Sequence, residues 1–158
     1  PKVLEFNCRL GDPETQVVMP LLASDPLELL LACAQGGLNR VAVQWDTRNY
    51  VGIVMVSGGY PDEYQTGYEI SGLGENESED GPEDTMVFHA GTKLGNNGVA
   101  GHPLTAGGRV LTVVGGGDNV DQARERAYAR LERISFEGAA WRRDIGSSAN
   151  QGAARSTG

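Results

Sequence analysis

Glu5, Asn7 and Arg9 stand at alternate positions of the segment Val3-Leu4-Glu5-Phe6-Asn7-Cys8-Arg9. In an extended strand the side chains alternate, so these three share one side and Leu4, Phe6 and Cys8 share the other. The polar side then lines up a carboxylate, an amide and a guanidinium at steps of about 6–7 Å. A hard cation such as Mg²⁺ takes oxygen ligands, often one or two carboxylates completed by substrate phosphates. Glu5 and Asn7 supply a carboxylate and an amide oxygen of that kind. Arg9, one step further, offers a planar fork for a carboxylate or a phosphoryl group. By spacing alone, a solvent-facing strand side with mixed polar residues is the better account, because the pattern is short and common. Gly11-Asp12-Pro13 ends the strand as a turn.

Positioning these residues requires the elements that follow. Asp25-Pro26-Leu27-Glu28 carries an N-cap Asp, a Pro at the first helical position and a Glu three residues after the cap. Leu27, Leu30, Leu31 and Ala34 form an apolar stripe, and Gly36-Gly37 closes that helix. Residues 41–45 and 50–56 read as strands joined by a hairpin loop at 46–49. Gly58-Gly59-Tyr60-Pro61 is a turn. Residues 68–73 form a short strand, and residues 85–90 and 109–114 are strands separated by a Gly- and Asn-rich stretch at 95–108. Gly115-Gly116-Gly117 leads into a helix capped by Asn119 with Gln122, whose buried stripe is Val120, Ala123, Ala127, Leu131 and Ile134.

The composition narrows the class. The 158 residues are 39% apolar and 22% charged, as in ordinary globular domains, which fits one domain with a piece of another. The 23 glycines are near twice the average share of ~7%, which excludes a coiled coil or helix bundle and favours strands and tight turns. A net charge of −8 disfavours nucleic acid as a partner. No apolar run approaches the ~20 residues of a membrane span, and no signal peptide is visible. Cys8 and Cys33 make no disulfide framework, so a reducing, cytoplasmic compartment is expected. The acid-rich stretch at 74–85 reads as a solvated, mobile loop rather than a calcium site, and the Ser-, Ala- and Gly-rich end as a disordered tail.

Other residues weigh less. The glycines at 115–117 precede a helix as an anion cradle would, but Asp118 follows where a phosphate loop carries Gly-Lys-Ser/Thr, so a turn before a capped helix is preferred. His89 sits in a strand-like apolar run and is expected to be hydrogen-bonded and half-buried. Trp45 and Trp141 are expected in core or rim packing. Arg142 and Arg143 suit a phosphate or neighbouring acids equally. His102-Pro103-Leu104 reads as a loop elaboration.

The blocks PKVLEFNCRLGDPETQ, Ser57-Gly58-Gly59-Tyr60-Pro61, Val87-Phe88-His89-Ala90-Gly91-Thr92, Gly107-Gly108-Arg109-Val110-Leu111, Ile134-Ser135-Phe136-Glu137-Gly138 and Arg142-Arg143-Asp144-Ile145-Gly146 occur in this order. Together they resemble the carboxy-terminal portion of the phosphoribosylamine–glycine ligase (glycinamide ribonucleotide synthetase) family, of the ATP-grasp superfamily. The resemblance implies an α+β fold. Residues 1–48 would be the end of an ATP-grasp domain, 49–146 a small β-rich module with one long helix, and 147–158 a tail. The implied activity is an ATP-dependent carbon–nitrogen ligation in purine biosynthesis, joining glycine to 5-phosphoribosylamine through glycyl phosphate. Glu5 and Asn7 match the ligands for Mg²⁺ or Mn²⁺ ions that bridge the ATP phosphates. Arg9 is expected to hold the glycine carboxylate or acyl phosphate, and Asp12 to orient a substrate amine or hydroxyl. The nucleotide-binding part lies upstream in the family, so this chain is expected to be inactive alone and to need that missing part as its partner. The first residues read as a strand already in progress, as in a piece of a longer chain. The alternative is a non-catalytic module that keeps the fold and binds a ligand or a partner protein.

Overall fold

A computed structural model describes residues 2–74, 84–95 and 101–147. Of the acidic loop read at 74–85 and the tail read at 147–158, residues 75–83 and 148–158 lie outside the described residues, while Thr85 already belongs to a strand. The core is a three-stranded antiparallel sheet in the order β1-β5-β2, from β1 (Asn49–Val56), β2 (Thr85–His89) and β5 (Arg109–Gly117). β1 alternates as a strand with one buried face should: Val51, Ile53 and Met55 are buried, and the residues between them are half-exposed. β5 has a neighbour on each side and is buried from Val110 to Gly117. Helix α3 (Val120–Leu131) covers the sheet through Ala123, Ala127 and Leu131. Its cap is the expected one, with Asn119 Oδ1 accepting from the Gln122 amide at 2.9 Å.

The glycines at 115–117 are not a turn. They form the end of β5, paired with β1 on one side and, through Gly115, with β2 on the other. A Cβ on Gly115 would lie 2.5 Å from the Ala127 amide nitrogen and closer still to the Ala123 carbonyl oxygen. Small residues on both elements therefore let helix and sheet backbones touch. The burial also removes the glycines from any anion-cradle role.

Two segments close the open edge of the core. Ser71 and Ser135 exchange backbone hydrogen bonds at 2.9 and 3.1 Å, which carries Ile70, Leu73, Ile134 and Phe136 into the cluster. The buried Arg130 donates to the Gly72 and Leu73 carbonyls, both at 2.8 Å. At the far side of the acidic stretch, Asp84 receives Arg48 at 3.0 Å and Arg126 at 2.8 Å. A small hairpin, β3 (Thr92–Leu94) with β4 (Pro103–Thr105), lies where the sequence suggested only a glycine-rich stretch and a loop elaboration.

Residues 2–48 behave differently. Every residue of the core cluster falls between Val51 and Ile145. Among the described residues, eleven of the fourteen exposed large hydrophobic side chains fall before Asp46, including Leu4 at 97%, Phe6 at 85% and Leu27 at 71% exposure. The expected strand over 3–9 is not formed, because no described segment offers it a ladder of hydrogen bonds. Residues 41–45 likewise form no strand; they contribute one bridge, Leu22 to Trp45, and no hairpin to β1. The expected strand at 68–73 is reduced to bridges at Glu69 and Ser71. The helix α2 (Pro26–Ala34) forms with its Asp25 cap, donor Leu27 N at 2.8 Å, and closes at Gly36 in the left-handed region (φ 67°), but its apolar stripe faces outward. A short helix α1 (Glu14–Val18), unforeseen, lies against the sheet face opposite α3, with Val17 over Gly52.

Gly115→Ala should therefore cost roughly 2–4 kcal/mol in urea unfolding, because neither backbone can yield without opening the core. Gly36→Ala, with open space around it, should cost about 1 kcal/mol through its backbone conformation alone.

Candidate active site

The polar side of the first segment survives the loss of the strand. Asn7 Nδ2 donates to Glu5 Oε1 at 2.9 Å, so the two side chains meet as the alternation required. Both are exposed, and among the described residues no group of three or more His, Cys, Asp and Glu gathers as a metal cage. The donor set is thus all oxygen and incomplete, one carboxylate and one amide. That suits a Mg²⁺-type ion, which keeps several waters and takes substrate phosphates for the rest. Arg9 is exposed and reaches only the neighbouring Leu10 carbonyl, at 3.5 Å, leaving its fork available.

Asp12 is more firmly held. Its Oδ1 accepts from Gln16 Nε2 at 2.8 Å. Its Oδ2 lies 3.2 Å from Arg109 Nη2, and its backbone carbonyl accepts from Arg109 Nη1 at 2.7 Å. The Thr15 amide and hydroxyl both donate to the Gly11 carbonyl. The turn is therefore fixed internally by the start of α1 and externally by an arginine 97 positions away. Nothing in the local sequence signals that partner.

Arg109 is presented by a corner where four of the ordered blocks meet. Ser57 donates from its amide to the Gly108 carbonyl and from Oγ to the Gly107 carbonyl, both at 2.8 Å. The Gly91 amide donates to the Arg109 carbonyl at 2.8 Å, and the Ala106 amide to the Gly91 carbonyl at 2.7 Å. A Cβ on Gly91 would sit 2.7 Å from the Gly107 Cα, and one on Gly108 would enter the Tyr60 ring. A Cβ on Gly58 would meet the Gly138 carbonyl oxygen at 2.8 Å. The blocks at 57–61, 87–92, 107–111 and 134–138 are thus the parts of one backbone crossing. Each glycine permits the close approach of another chain segment.

The remaining candidates fall around this corner. His89 ends β2 and is exposed, not half-buried, because it lies at the sheet's outer strand; its Nδ1 is 3.0 Å from Thr92 Oγ1. It lines a small cleft with Leu10, Asp12, Thr15, Gln16 and Met19, so the His89 and Asp12 blocks face each other. A second cleft, largely apolar, is lined by Pro13, Val54, Tyr60 and Trp141 together with Arg109 and Arg142. Trp141 is half-buried against the core, as expected for the rim, whereas Trp45 is exposed. Of the two readings of Arg142, the structure shows the ion pair: its fork grips Asp144 at 2.9 and 2.6 Å. These hydrogen bonds hold the Asp144 carboxyl below its ordinary value of 3.8. Asp46 is likewise lowered, first by the Arg48 backbone amide and then by its guanidinium.

Comparison with known proteins matches residues 50–148 to the family described as "Phosphoribosylglycinamide synthetase, C domain". The phosphoribosylamine–glycine ligase of Allochromatium vinosum is 49% identical over 146 residues, 92% of this chain and 32% of that enzyme. A bifunctional purine biosynthetic protein of Dictyostelium discoideum is 45% identical over 148 residues, 93% of this chain and 17% of that protein. The crystal structure of the Thermotoga maritima phosphoribosylamine–glycine ligase superposes with a TM-score of 0.65 at 33% identity, covering 91% of this chain and 33% of that one. The chain spans about a third of the length of the ligases it matches.

The lowered Asp144 carboxyl gives a pH test. Its pairing contributes above the ordinary carboxyl range and is lost as the pH falls through the depressed value. A carbon NMR titration should place the Asp144 midpoint below 3.8, and Arg142→Ala should raise it. An unchanged midpoint in that variant would show that the arginine is not the cause.

Proposed function

The chain belongs to the phosphoribosylglycinamide synthetase C-domain family, and on that premise we propose that it is the carboxy-terminal third of an ATP-dependent phosphoribosylamine–glycine ligase. The observation that carries the reading is the 49% identity over 146 residues, 92% of the chain, which reaches well beyond the 50–148 that the family model matches. In this reading residues 2–48 are the last edge of an ATP-grasp domain whose nucleotide-binding body lies outside this chain. Residues 49–146 are the carboxy-terminal module. The outward-facing Leu27, Leu30 and Leu31 are the surface that the missing body covers. Exposed, unpaired Cys8 and Cys33 suit the reducing cytoplasm in which such a reaction belongs.

The reaction runs in two steps. A glycine carboxylate oxygen attacks the γ-phosphorus of ATP, the bond to the β–γ bridging oxygen breaks, and ADP leaves. The amine of 5-phosphoribosylamine then attacks the acyl carbon of glycyl phosphate, phosphate departs, and the nitrogen gives up a proton. Mg²⁺ or Mn²⁺ supplies charge neutralisation among the ATP phosphates when bound. Glu5 and Asn7 would hold that ion through their oxygens. Arg9 grips the glycine carboxylate and then the acyl phosphate. Asp12, whose half-exposed carboxylate retains acceptor capacity beside its contacts to Gln16 and Arg109, orients the attacking amine or a ribose hydroxyl. Catalysis of this kind rests on positioning and charge, both of which need the second wall of the cleft.

A fusion of this chain to the amino-terminal two-thirds of the Allochromatium vinosum ligase should release ADP over many turnovers only with glycine, phosphoribosylamine and a divalent ion all present. Glu5→Ala should lower that turnover by about 100-fold or more. A folded but inactive fusion, or an unaffected Glu5→Ala variant, would overturn the reading. Leu30→Glu should leave the unfolding free energy of this chain within about 0.5 kcal/mol, because the side chain is exposed. The same change should abolish association with a separately expressed amino-terminal part, measured by sedimentation.

A further inference from the structure

We propose that Arg109 is a positioning residue for the proposed ligation: it fixes the Gly11-Asp12-Pro13 turn, and through it the Glu5-Asn7-Arg9 face, against the carboxy-terminal module. The inference rests on the reading given under Proposed function and extends it to a residue that touches neither metal nor substrate.

Three observations carry it. First, the base of Arg109 is held on both sides. It opens the central strand of the sheet, pairs with Val56 on β1 at a register shift, and accepts the Gly91 amide from the turn after β2. Second, its two nitrogens make different contacts on one target. One prong takes the Asp12 backbone carbonyl at 2.7 Å and the other its carboxylate at 3.2 Å. A carboxylate contact alone leaves a backbone free to shift under a rotating side chain. A carbonyl contact ties the main chain itself, three residues beyond Arg9 and five beyond Asn7. Third, the held segment has little else to hold it. It places no side chain in the core cluster, and α1 meets the sheet through Val17 over Gly52. The glycine corner therefore has a product beyond its own packing: a guanidinium delivered at a fixed place to the turn that follows the candidate metal ligands. Movement of the module moves that turn.

The test uses Arg109→Ala, Arg109→Lys and Asp12→Ala, in the chain itself and in the fused enzyme. In hydrogen exchange, Arg109→Ala should speed the amides of residues 15–18 by about tenfold or more while those of β5 stay protected. In the fusion, Arg109→Ala should lower kcat by roughly 10–100-fold with KM for ATP changed by less than about twofold, because misplacement of the reacting groups acts on the chemical step. Arg109→Lys should recover part of kcat, since it keeps the charge and loses the fork. The double variant Arg109→Ala/Asp12→Ala should be no slower than the slower single variant. Unchanged exchange at 15–18, lost protection across β5, or unchanged kcat in an active fusion would each overturn the inference alone. A folded, unsubstituted fusion without activity would overturn the underlying reading and the inference with it.

Discussion

The backbone of α3 lies directly on Gly115, and the rest of the module follows from that contact. Helix and sheet can approach so closely because Ala123 and Ala127 face a strand end without side chains. The approach buries β5 and seats Val51, Ile53 and Met55 of its neighbour against the helix. The opposite end of the same strand is Arg109. One rigid element therefore has its depth set by glycines at one end and presents a long cation at the other. With neighbours on both sides, β5 can transmit position where an edge strand would bend.

The sequence foretold what depends on local chemistry. The caps at Asp25 and Asn119, the helices behind them and the buried alternation of β1 are visible because each is fixed by near neighbours. The segment at 3–9 shows the limit of that logic. Its period of two brings Glu5 and Asn7 together, yet a strand exists only when another strand accepts its hydrogen bonds. Residues 41–45 are misread for the same reason. The glycines at 115–117 mislead in the other direction: their propensity says turn, while their packing requires strand. Asp12 and Arg109 show no mutual signal at all, since their meeting depends on how α1 lies on the sheet.

The ordered blocks gain a physical meaning from the corner at Ser57, Gly91, Gly107 and Gly138. Widely separated short motifs rich in glycine look like independent loops in a sequence. Here they are mutual requirements, because the absence of a side chain in one is what admits the backbone of another. A chain that keeps one such block has reason to keep them all. That is why their joint order speaks more strongly for a family than any one of them does; the family match spans residues 50–148.

The two ends of the stretch between Gly74 and Asp84 are held by separate devices. Arg130 grips the carbonyls of Gly72 and Leu73, and Arg48 with Arg126 grips Asp84. The contacts named here end on residues outside 75–83, at Gly72, Leu73 and Asp84. The closure entropy of such an interval rises only with the logarithm of its length. This makes it a natural splice point: a fluorescent reporter or an affinity tag can be threaded in there while both clasps stay shut.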